Sequence, residues 1–205
     1  KQGAAVGNVG SINGFIVGTS IGLTSGFTIS VAQSFGAKRF DKMNKYAGNS
    51  ISLAFIIGMV IMVVAHFLSR PLLRLIDTPD EIIDMSAQYI DVLYYAVPIQ
   101  MSLNNFNALS RAVGDSKRPL YFLIVSVIVN LVLDFLFVGY FKWGVIGAAW
   151  ATAISELVAM VLSGISVFKY TNEYKIDKAS LKLDGKISWS QIKIGIPISL
   201  QFSIT

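Results

Sequence analysis

No cysteine occurs among the 205 residues, and His66 is the sole histidine. The first absence excludes disulfides, iron–sulfur clusters and thiolate-held zinc. The second leaves no histidine-rich metal set, and no HExxH, GxSxG or P-loop pattern is present. His66, near the end of an apolar run, reads as an interfacial residue rather than a ligand. A membrane-embedded hydrolase or group-transfer enzyme needs a nucleophile and a base that converge, and no such pair stands out. No catalytic residue is assigned, and the chain is not expected to be an enzyme. Charge is scarce as well. Asp, Glu, Lys and Arg make up 14% of the chain, against about 25% in a soluble domain.

The charges that exist are segregated. None occurs from Gln2 to Ala37, and Tyr46 to Leu68 carries only His66. Val92 to Ser110 is uncharged, Pro119 to Phe141 holds one Asp, and Trp143 to Phe168 holds one Glu. Each run approaches or exceeds the roughly 20 residues that cross a hydrocarbon layer as a helix. The expected fold is an all-α, polytopic membrane bundle of five transmembrane helices and the start of a further one. The first spans about Gly7 to Phe35 and the second Tyr46 to Leu68. Thr78-Pro79-Asp80-Glu81 signals a helix start before the third, which ends near Ala112. "GDSKRP" is a tight turn whose Pro119 opens the fourth span. "YFKWG" turns into the fifth, with Tyr140 and Trp143 suited to a membrane interface. Thr171 to Ser190 is a polar, Lys-rich linker, and Gly195-Ile196-Pro197 begins the next helix.

The net charge of +5 is not a nucleic-acid footprint, because its members occupy alternate connections rather than one surface. Thirteen basic residues lie in the first, third and last connections, from Lys38 to Lys45, Arg111 to Arg118 and Lys169 to Lys193. Only Arg70, Arg74 and Lys142 lie in the others, Lys1 aside. The positive-inside rule therefore predicts a multi-pass cell-membrane protein with its basic loops in the cytoplasm. Lys1 stands where an initiator Met would be, and "IGIPISLQFSIT" is too short to complete a span. A piece of a longer protein is expected.

Glycine recurs at positions 10, 14, 18, 22 and 26. Glycine in a soluble helix costs about 1 kcal/mol relative to alanine, so the row needs a reason. In lipid, small residues four apart let helix backbones approach closely. Such a row winds slowly around the helix and suits a steeply crossed neighbour, or two neighbours in succession. It predicts a packing seam, and leaves open a surface that slides as the protein changes shape.

Chemistry is expected from the polar residues within the apolar runs. An ionisable group at mid-membrane costs roughly 2.5–3.5 kcal/mol and marks a functional position by default. Asp134 lies inside the fourth run, with Asn130 one turn earlier on the same face. Low-dielectric surroundings disfavour its charged form, which suits reversible binding of a proton or cation. Glu156 lies in the fifth run, one turn after Thr152. Gln100, Asn104 and Asn107 form a stripe on the third helix, which carries Pro98 at mid-depth, where a proline can bend the helix and free a carbonyl. These oxygens suit a hard ion such as Na⁺, and an Asp serves equally in a proton relay. With no nucleotide-binding motif, transport would have to run on an ion gradient.

Five stretches, in order, carry a resemblance: "GLTSGFTISVAQSFGAK", "SRAVGDSKRPLYF", "VNLVLDFLFV", "WGVIGAAWATAISE" and "IGIPISLQFS". Together the chain resembles the multidrug and toxic compound extrusion (MATE) transporters. The resemblance implies twelve helices in two six-helix lobes. Residues 1–170 would hold the second to sixth helices of the N-terminal lobe, 171–190 the cytoplasmic inter-lobe linker, and 191–205 the start of the C-terminal lobe. It implies a secondary antiporter that exports organic cations or drugs in exchange for Na⁺ or H⁺ by alternating access, with no cofactor beyond that ion. The other half of the same transporter and the lipid bilayer would be its partners. The cation site would fall on Asp134, Asn130 and Thr152, and the substrate chamber on Asn107, Asn104, Gln100 and Glu156. No further metal site is implied. Glu156 stands where such proteins commonly have Gln. The alternative is a lipid-linked oligosaccharide flippase of the same fold superfamily. Such proteins tend to line their cavity with Arg or Lys, and these spans carry no basic residue at mid-depth.

Overall fold

The computed structural model describes residues 2–75 and 80–204. Six helices follow one another: α1 (Gln2–Gly36), α2 (Phe40–Leu75), α3 (Asp80–Ala112), α4 (Lys117–Asp134), α5 (Gly144–Ile165) and α6 (Gly185–Ile204). Two π-helical segments, Phe135–Tyr140 and Ser166–Tyr170, prolong α4 and α5. No strand occurs among the described residues. The chain folds as an all-α membrane bundle. Four of the helical segments, Gly14–Gly36, Phe40–Pro71, Lys117–Tyr140 and Gly144–Tyr170, have the length and apolarity to cross a membrane. The expected fifth, α3, has the length, but its amides and its acidic first half dilute its apolarity. Thr78 and Pro79 of the expected start signal lie outside the described residues, as does the packing around Gly10.

The helices are longer than the uncharged runs, because the chain keeps helical hydrogen bonds beyond the apolar core. α2 continues through Pro71, and α3 continues through Pro98. Short polar turns set the reversals. Lys38 adopts φ 55° between α1 and α2, and Gly114 adopts φ 88° before α4. Asp115 then accepts the backbone N–H groups of Lys117 and Arg118, both at 3.2 Å, and so starts α4 just ahead of Pro119.

α3 is central and packs on α1, α2 and α5, whereas α4 packs mainly on α5. Leu23, Phe27, Leu53, Ala54, Val97 and Met101 form the core where α1, α2 and α3 meet. Polar residues of α1 that face this core satisfy themselves. Ser20 Oγ donates to the Ile16 carbonyl at 2.8 Å and Thr24 Oγ1 to that of Ser20 at 2.8 Å. Bonded to their own helix, they belong to packing rather than to chemistry.

Two glycines of the row form a seam. A Cβ on Gly22 would meet the Cα of Ser199, and one on Gly26 the Cα of Gly195, both on α6. Among the described residues, nothing lies within 4 Å of a Cβ placed on Gly14. α1 and α6 thus touch backbone to backbone along part of the row. Gly58 on α2 makes a second close approach, since a Cβ there would lie 2.7 Å from Pro98 Cα.

The Lys-rich segment after α5 is pinned along its length, and the final helix begins at Gly185, well upstream of the expected Gly195. Asp184 explains that start, since its carboxylate accepts the N–H groups of Lys186 (2.8 Å) and Ile187 (3.1 Å). Upstream, Ser180 donates its amide and hydroxyl to Asp177 at 2.7 and 2.6 Å, which holds that carboxyl below the usual range. This turn lays the Ser180 carbonyl against Gly48, where any Cβ would collide with it. Asn49 Nδ2 donates to Gln191 Oε1 at 2.8 Å, and Gln191 donates to the carbonyls of Phe27 (3.1 Å) and Tyr46 (2.9 Å). Asn49 and Gln191 are both buried.

Tyr174 completes the attachment. Its buried hydroxyl donates to the Leu109 carbonyl at 2.9 Å. Burial first, and the neighbouring Glu173 charge second, push the phenol further above its ordinary value, so it remains a donor. Tyr174→Phe removes that donor from a buried carbonyl and is expected to cost about 1–3 kcal/mol. Thermal unfolding in detergent checks this; an unchanged midpoint would show that the bond contributes nothing.

Candidate functional site

α4 and α5 run antiparallel, joined by a tight turn in which Lys142 and Gly144 take φ of 56° and 60°. Phe137, Phe141 and Trp143 stack around it, with Phe137 and Trp143 ring centroids 5.0 Å apart. Tyr140 and Trp143 are exposed, as an interfacial position requires. Two contacts fix the register of the pair. Ser126 Oγ donates to the Ser155 carbonyl at 3.1 Å, and the Asn130 side-chain amide lies 3.5 Å from Thr152 Oγ1.

Asp134 is the last α-helical residue before the π turn. With the Asn130 amide turned to suit both neighbours, its nitrogen donates to Asp134 Oδ2 and its oxygen accepts the Thr152 N–H, each at 3.3 Å. Thr152 Oγ1 donates to the Ala148 carbonyl at 3.0 Å. The other carboxylate oxygen, Asp134 Oδ1, is buried and meets no hydrogen-bond partner among the described residues. A buried oxygen without a donor is costly, and most such atoms are satisfied. Asn130 thus links Asp134 and Thr152 in one hydrogen-bonded group, half-satisfied at its acid. Its carboxylate, amide and hydroxyl oxygens are the donor types that a hard cation takes.

A polar stripe continues along α5 toward α3. Gln100 Nε2 donates to Glu156 Oε1 at 3.3 Å, and Ser163 Oγ donates to Asn107 Oδ1 at 3.1 Å. Asn104 lies on the same face of α3 between Gln100 and Asn107, but makes no described hydrogen bond of its own. Its neighbour Asn105 is the buried one, donating to Ser50 Oγ at 3.3 Å toward α2. Ser126, Ser155 and Ser163 were not singled out from sequence; their spacing opposite the amides was the available signal. His66 Nδ1 lies 3.1 Å from Asp91 Oδ1 on α3. Among the described residues, no cluster of three or more His, Cys, Asp or Glu could hold a metal. A cavity of about 440 Å³ opens away from the stripe, lined by Asp115, Arg118, Tyr121, Tyr170 and Glu173.

A family model, MatE, matches residues 3–136. The chain belongs to the MatE family. This MatE chain is 31% identical, over 96% of its length and 44% of the relative's, to "Probable multidrug resistance protein YoeA" of Bacillus subtilis (strain 168). It is 25% identical, over 90% of its length and 40% of the relative's, to "Multidrug export protein MepA" of Staphylococcus aureus (strain MRSA252). It therefore spans less than half the length of these curated relatives. Among solved structures it superposes with a TM-score of 0.91 on a MATE protein in complex with MaD3S, at 26% identity over 98% of this chain and 46% of the other. The inward-facing form of a multidrug resistance MATE family transporter of the MOP superfamily gives a TM-score of 0.89, again at 26% identity, over 98% and 47%. The MATE membrane fold of the chain is established by these matches and by its own apolar helices.

Proposed function

We propose that the protein carrying this chain is a secondary antiporter that exports organic cations across the cell membrane in exchange for Na⁺ or H⁺. The observation that carries this is Asp134: a lone acid within a membrane-spanning segment, one oxygen held by Asn130 and the other buried without a partner. A proton or cation arriving there supplies the missing partner. Asn130 and Thr152 complete the cation site, while Gln100, Asn104, Asn107 and Glu156 line the chamber that receives the substrate. The names of the multidrug relatives support the substrate class.

The basic connections face the cytoplasm by the positive-inside rule. The cation binds Asp134 from outside, the changed charge favours release of the drug, and the lobes rock to deliver the ion inward. Linkage requires that ion and drug oppose one another in affinity. The flippase alternative lacks the basic cavity residues that a pyrophosphate needs.

Reconstituting the full-length protein in proteoliposomes tests this. A fluorescent organic cation should move uphill when a Na⁺ or proton gradient is imposed, at about tenfold or more over gradient-free vesicles. Equal movement with and without both gradients would overturn the proposal.

A further inference from the structure

Asp134 and Glu156 stand at two levels of the same helix pair. Ser126 lies opposite Ser155 and Asn130 opposite Thr152, so Glu156 is level with the Ser126 turn of α4. From there to Asp134 is about eight residues, or about 12 Å of helix axis. Each acid is the sole charged residue of its segment, from Pro119 to Phe141 and from Gly144 to Phe168, and α3 is uncharged from Val92 to Ser110. No basic side chain on these facing segments neutralises either one.

Each carboxylate is also tied at one oxygen only. Asn130 donates to Asp134 Oδ2, and Gln100 donates to Glu156 Oε1. Asp134 Oδ1 has no partner, and no described residue other than Gln100 donates to Glu156. A single amide contact orients an acid without neutralising it. A charge in low-dielectric surroundings is tolerated when an opposite charge meets it, so two half-satisfied acids call for two cationic centres.

We propose that Asp134 and Glu156 form a two-point docking site for organic dications whose charged centres lie about 12–15 Å apart. This rests on the reading of Asp134 as the cation-binding group. A monocation engages Asp134 alone; a dication of matched length engages both acids, with its apolar spacer along the intervening helix surface. Gln100 is a positioning residue that keeps Glu156 turned to the site.

The test uses the full-length protein in detergent and a homologous series of bis-trimethylammonium alkanes, with tetraethylammonium as the monocation. Affinity should peak at a member whose ammonium centres are about 12–15 Å apart. Glu156→Gln keeps the shape and the contact to Gln100, and should weaken that member at least about tenfold more than it weakens tetraethylammonium. Glu156→Asp, which retains the charge on a shorter arm, should restore most of the preference. Affinity independent of spacer length, or equal weakening of both ligands by Glu156→Gln, would overturn the proposal. Asp134→Asn separates this from the parent reading. If tetraethylammonium binding survives it, the cation site itself is wrong; if that binding is lost but no spacer optimum exists, only the two-point site fails. A thermal midpoint for each variant confirms that a folded protein is being compared.

Discussion

Replacing Asp134 by Asn in the full-length protein should lower gradient-driven export of a fluorescent cation at least about a hundredfold, while the protein still inserts and folds. The side chains are nearly the same size, and an amide oxygen still accepts the Asn130 N–H that reaches Oδ2 at 3.3 Å. What disappears is the group that gains and loses charge. An amide neither binds a proton at neutral pH nor attracts Na⁺ as a carboxylate does. The buried Oδ1 position, which no donor meets, would be taken by an amide nitrogen, itself lacking a partner. Ion and drug binding would then be uncoupled, because the shared charge that makes them oppose each other is gone. Asn130→Leu should weaken export less, by about tenfold, since it removes a positioning bond and leaves the acid. Efflux from energised cells or proteoliposomes measures both. Wild-type coupled export by Asp134→Asn would remove this residue from the mechanism.

How far the sequence foretold this arrangement depended on the range of the interaction. Uncharged runs reported helix number and order because crossing a membrane is a local demand on composition. Asp134 was legible for the same reason: one acid in an apolar run is conspicuous without any knowledge of its neighbours. Its pairing with Asn130 followed from one-turn spacing, whereas the contact of Asn130 with Thr152 crosses between helices and is seen only in the structure. The attachment of the last helix was not legible. Asn49 and Gln191 are separated by 142 residues, and nothing local to either marks the bond. The stretch from Thr171 to Ser190 reads as a polar linker because it is rich in lysine. It is held by main-chain and small polar contacts, such as Ser52 to the Leu181 carbonyl at 2.6 Å, which composition does not display. Asn104 and Asn105 show the same limit at one-residue scale. Adjacent identical amides point to different helices, and only the structure distinguishes them.

The glycine row yields the other large effect, and it carries a built-in control. Gly26→Ala adds one methyl group that would collide with the Gly195 backbone, with Gly195 N 2.8 Å from the new Cβ. Backbone cannot rotate aside as a side chain does, so α1 and α6 must separate. Gly195 resists from the other side too, where a Cβ would lie 3.0 Å from Phe27. Separation would also pull Gln191 from the Phe27 and Tyr46 carbonyls and leave buried polar atoms unpaired. Overpacking alone costs about 1–3 kcal/mol, and the broken amide contacts add to it. Gly14→Ala makes the same chemical change on the same helix at a point where no described residue lies within 4 Å. There the methyl group relieves backbone freedom and should be neutral or stabilising by up to about 1 kcal/mol. Thermal unfolding of the two variants in the same detergent should therefore shift in opposite directions, or at least by clearly different amounts. Equal shifts would mean that the row is spaced by chance, and that α6 does not rest on α1 through Gly22 and Gly26.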